Sequence, residues 1–130
     1  MLALSSLVLG TNALHAFLKR YTLYGLAFTG VLISSLLFHT SAKDDSCLPL
    51  FWLDQLMLIS VFLVGFYYTL QIPALQIVAA SISIALVLLY YHYGRLTKTF
   101  CWDPTFGTLY HSSMHVIGSL GHHAILLGLP

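Results

Sequence analysis

The stretch Tyr21–His39 reads YTLYGLAFTGVLISSLLFH and contains no Asp, Glu, Lys or Arg. As a helix rising 1.5 Å per residue it extends about 28 Å, close to the ~30 Å hydrocarbon core of a bilayer. Backbone groups in lipid must pair within their own segment, so a run of this kind predicts a membrane-spanning helix rather than a strand or a loop.

Similar stretches fill the rest of the chain. Leu48–Leu70 is apolar apart from Asp54 near its start and a few neutral polar residues, and Pro73 opens a third run that ends near Tyr93. Proline is tolerated in a first helical turn, where its missing N–H has no partner to lose. Thr105–Leu129 is apolar enough to span but holds His111, His115, His122 and His123. Leu2–Leu18 is short for a span, contains Asn12 and His15, and runs into Lys19-Arg20. A cleavable signal peptide places its positive charge first and ends in small residues, so this segment reads instead as a short or tilted fifth helix. The expectation is a single all-α domain over residues 1–130, a polytopic membrane bundle of four to five transmembrane helices.

Composition agrees. Hydrophobic residues make up 58% of the chain and charged residues 7%, whereas a soluble domain carries roughly a quarter charged. The net charge of +1 supplies no basic patch for phosphates, which excludes nucleic acid as a partner. Membrane lipid is the expected surrounding and partner, in an endomembrane or a mitochondrial inner membrane.

Successive spans alternate direction. One membrane face, here face A, receives the connections around residues 40–47 and 94–104, and face B receives Lys19-Arg20 and the Leu70–Pro73 turn. Lys43, Arg95 and Lys98 on face A against Lys19 and Arg20 on face B lean face A toward the cytosol. Cys47 and Cys101 both fall in face A connections and read as unpaired thiols, or as a disulfide if face A meets an oxidising compartment.

Ionisable groups inside spans are costly and mark functional sites by default. Ser35 and His39 lie four residues apart, on one face of one helix. Asp54 enters from the face A end of the next span. His111 and His115 repeat the four-residue spacing at the face A end of the last. All five are expected at similar depth, just inside face A. Three histidines on two helices, with a fourth position open, form the ligand set of a catalytic zinc (Zn2+), and a nearby carboxylate and hydroxyl can handle its water. His122, about 10 Å deeper than His115, and His123 read as hydrogen-bonding groups between helices. His92 reads as a snorkelling interfacial residue. Tyrosines and tryptophans, including Tyr24, Trp52, Tyr90 and Trp102, gather near span ends as interfacial belts. Small residues such as Ala80, Ser83, Gly118 and Gly121 permit close helix contact.

Ser35-Leu-Leu-Phe-His39, then Asp54 in Phe-Trp-Leu-Asp-Gln-Leu, then His111-Ser-Ser-Met-His115 resemble the hallmark pattern of the CREST superfamily. That group joins alkaline ceramidases, progestin and adipoQ receptors, GPI-anchor remodelling proteins and myomaker-like proteins. The resemblance runs from Tyr21 to the C-terminus and implies zinc held by His39, His111 and His115. Asp54 and Ser35 would then serve as catalytic groups around its water, in hydrolysis of a membrane-lipid amide or ester. Family members usually have seven spans; two would be missing here between Asp54 and His111, which preserves the parity that returns the histidine pair to face A. The alternative is an accessory subunit, buried among other membrane subunits of a larger complex of respiratory, photosynthetic or ATP synthase type, that retains the histidine site.

Overall fold

The computed structural model describes residues 2–41, 48–96 and 106–130. Among these residues there are five helices: α1 Leu2–Leu18, α2 Thr22–Ser41, α3 Leu48–Thr69, α4 Ala74–Leu96 and α5 Phe106–Gly128. The fold is all-α, and three helices, α2 to α4, are long and apolar enough to cross a membrane. In α5 the histidines, serines and glycines dilute the apolar run, and α1 is shorter than a bilayer is thick. Cys47, Cys101, Lys43, Lys98 and Trp102 lie outside the described residues.

The turn between α1 and α2 takes three residues because the chain reverses through a left-handed cap. Tyr21 N–H donates to Ala16 O and Arg20 N–H to Phe17 O, both at 2.9 Å, the paired bonds that close a helix C-terminus when the residue beyond its cap adopts positive φ. Arg20 takes that position, with φ 67°. At the start of α4 the Pro73 carbonyl accepts from Ile77 N at 3.2 Å, so proline caps the helix and gives up no bond.

α1 lies between α2 and α5; α3 flanks α2, and α4 packs on α5. α1 and α5 run parallel, since Ser5 meets His115, Asn12 meets Ser119 and Lys19 meets Leu126. Helices α2 and α4, between them in direction, bring their C-terminal ends to the start of α5.

The interior mixes polar side chains into an apolar core. Ser6, Asn12, Ser34, Ser35, Asp54 and Ser119 are all buried, alongside Tyr24, Phe28, Val31 and Leu126. Large apolar side chains such as Leu75, Leu88, Leu89 and Trp52 are turned outward. Lipid tails are as apolar as leucine, so burial of leucine gains little there, and the helices associate through close packing and hydrogen bonds. Tyr24 corrects an expectation: it leaves the interfacial belt for the core, where its hydroxyl bonds His122 Nδ1 and its ring stacks on Tyr68 at 5.2 Å. A buried phenol needs a partner for its hydroxyl, and His122 supplies one.

Candidate metal centre

Helix direction brings the C-terminal end of α2 beside the start of α5, and the four-residue spacing of His111 and His115 turns both rings to the same side. The result is a cluster. His39, His111 and His115 each offer a ring nitrogen, and these atoms lie within 4.8 Å of one another. Ring centroids are 4.7 Å apart for His39 and His111, 5.6 Å for His39 and His115, and 4.8 Å for His111 and His115. All three side chains are half-buried. Such spacing is close enough for one metal ion.

His39 Nε2 is buried and, among the described residues, makes no hydrogen bond. An imidazole nitrogen withdrawn from water and left unpaired costs free energy, and a ligand at the centre of the cluster would relieve it.

Asp54 and Ser35 are both buried, at 5% and 2% exposure, but they do not pair with each other. Asp54 Oδ1 is held by the neighbouring hydroxyl, Ser34, at 3.1 Å. The Ser34 hydroxyl also lies 3.1 Å from Val31 O, so its single proton is shared between two acceptors. Ser35 instead faces α1, 2.9 Å from Ser6 Oγ. Ser34 lies five residues before His39, about 7 Å along the helix axis, which sets Asp54 deeper than the histidines rather than level with them.

Helix α1 contributes what the spacing of the later histidines did not indicate. Ser5 Oγ lies 2.9 Å from His115 Nδ1. Direction alone places Ser5 and Ser6 at the face A end of α1, at the depth of the cluster; the contact depends on which helix α1 packs against. His15 also acquires a role, its Nδ1 2.9 Å from His123 Nδ1 and its ring stacked on the same partner. His122 and His123 make the expected bonds between helices, to Tyr24 and to Thr11 and His15. His92 is exposed. No known protein family, curated protein or solved structure matches the chain.

Proposed function

We propose that this chain is a membrane-embedded zinc-dependent hydrolase of lipid amides or esters, with zinc at His39, His111 and His115. One observation carries the reading: three imidazoles from helices far apart in sequence converge to within 4.8 Å inside an apolar bundle. Three nitrogen donors without a thiolate suit zinc and leave a position open for chemistry. The buried His39 Nε2, which makes no hydrogen bond among the described residues, supports it, because natural interiors rarely leave such an atom without a partner.

Zinc bound there would supply a Lewis acid and a water of pKa near ~7. The chain would supply the proton acceptor, Asp54, which Ser34 holds deeper in the bundle than the histidines, so that an intervening water would carry the proton to it. Ser35 would orient water together with Ser6, its hydrogen-bond partner. The outward-facing leucines would keep bulk water from the bundle in a lipid setting.

The test is metal content and lipid turnover of the protein purified in detergent, beside His115→Ala and Asp54→Asn. About one zinc per chain is expected, lost in His115→Ala and kept in Asp54→Asn. Turnover of ceramide or phospholipid should fall roughly 10²- to 10⁴-fold in Asp54→Asn, the usual contribution of a general base. A metal-free wild type, with His115→Ala equally stable, would end the proposal.

A second reading is an accessory subunit that keeps the histidine site for structure. It is favoured by α4, which packs on α5 and turns Leu75, Ile82 and Leu89 outward, a face that another subunit could cover. Bound zinc, no turnover of any lipid and a destabilised His115→Ala would select it.

A further inference from the structure

Ser5 has one proton to give, and its two close contacts are both short. Its Oγ lies 2.8 Å from Leu2 O and 2.9 Å from His115 Nδ1. A carbonyl oxygen only accepts, so the Ser5 proton goes to Leu2 O, and the imidazole must donate to the hydroxyl oxygen. The contrast with Ser34 is instructive: there one proton is split between two acceptors, and both distances stretch to 3.1 Å.

We infer that Ser5 is the positioning residue of the metal centre, fixing His115 as the Nδ1–H tautomer so that its bare Nε2 faces the site shared with His39 and His111. The inference rests on the metal reading above and deepens it. A neutral imidazole binds a metal through the nitrogen that lacks a proton, and the hydrogen bond made by the other nitrogen decides which one that is.

The same arithmetic holds about two helical turns deeper, which shows it to be a property of the α1–α5 seam. Thr11 Oγ1 lies 2.6 Å from Val8 O and 2.9 Å from His123 Nε2. Its proton is likewise committed to a backbone carbonyl, so His123 donates through Nε2 and accepts at Nδ1 from His15. At both places a hydroxyl of α1, saturated by its own helix, forces a histidine of α5 to be the donor. The tautomers differ because Ser5 meets Nδ1 and Thr11 meets Nε2. Only the first leaves Nε2 bare.

The test compares wild type, Ser5→Ala, Ser5→Thr and, as a packing control, Ser60→Ala, whose hydroxyl bonds Met57 O of its own helix. Two readouts are needed: the ring-nitrogen NMR signals of His115 in ¹⁵N-histidine-labelled, metal-free protein, and zinc affinity by competition with a chelator. The wild type should carry its His115 proton on Nδ1. Ser5→Ala should lose that preference and bind zinc about 10- to 100-fold more weakly, the usual cost of removing the group that orients a ligating histidine. Ser5→Thr should restore both, and Ser60→Ala should move neither. Unchanged affinity in Ser5→Ala, with the wild type binding zinc, would overturn the role of Ser5 and leave the metal reading standing. A proton on His115 Nε2 in the wild type would overturn it directly. Equal losses in Ser5→Ala and Ser60→Ala would assign Ser5 to packing alone, and a wild type that binds no zinc would remove both inferences together.

Discussion

Arg20 pays for the tight turn at face B, since a side chain in the left-handed region crowds its own carbonyl at a cost of roughly 1–2 kcal/mol. Its φ of 67° is the conformation that glycine most often supplies after a helix. Arg20→Gly should therefore stabilise the protein by roughly 0.5–1 kcal/mol, because glycine's greater freedom when unfolded, roughly 0.5–1 kcal/mol, offsets only part of the relief. Arg20→Lys should be neutral and Arg20→Val destabilising, as a β-branched residue tolerates positive φ least. Unfolding in mixed detergent micelles measures all three, and a loss of stability in Arg20→Gly would mean that the arginine side chain, not the backbone, matters there. The face B cations thus have local roles as well as topological ones. Lys19 Nζ reaches over the seam to Leu126 O and Leu129 O, at 2.8 and 2.6 Å, and places a positive charge at the negative end of α5.

Between elements, the α4–α5 contact is the most closely defined. A Cβ added at Gly121 would lie 2.6 Å from Ser83 Cβ, while one at Gly118 would find Val87 Cγ2 at an ordinary 3.8 Å. Gly121→Ala should push α4 away and cost about 1–3 kcal/mol, as overpacking generally does; Gly118→Ala should be tolerated. Zinc affinity should survive in both, because the histidines stand on α2 and α5 and are braced by α1. Loss of zinc in step with stability in Gly121→Ala would make α4 part of the site's support. These elements show how far residue patterns reach. Apolar runs and their breaks located all five helices to within about three residues at each end. The four-residue spacings and the alternation of direction brought His39, His111 and His115 together correctly. Helix direction is a consequence of parity, but the order of helices around a bundle is not, so nothing in residues 2–18 marked α1 as the neighbour of α5. That is why Ser5 and the His15–His123 pair were not legible, and why Ser34, the hydroxyl that holds Asp54, was not singled out beside Ser35. A shift of one residue turns a helical side chain by about 100°, enough to exchange one neighbouring helix for another.

For the whole molecule the decisive property is where polarity sits: serines, Asn12 and Asp54 are buried among apolar side chains such as Phe28 and Val31, while many large leucines face outward. Such a bundle suits apolar surroundings, and among the described residues successive helices run in alternating directions. The parallel pairing of α1 with α5 is the structural form of that parity: Ser5 beside His115 at one end, Lys19 beside Leu126 at the other. It also lets the three histidines meet, since two helices, α3 and α4, separate the end of α2 from the start of α5. Single cysteines at Ser41, Leu96 and Leu70, in a background with Cys47 and Cys101 replaced by serine, test this with an impermeant thiol reagent applied to sealed vesicles. Positions 41 and 96 should label from one side and position 70 from the other, whichever way the vesicles face. Labelling of 41 and 96 from opposite sides would place His39 a full membrane thickness from His111 and His115, beyond the reach of any shared ion, and the proposed site and the role of Ser5 would fall with it.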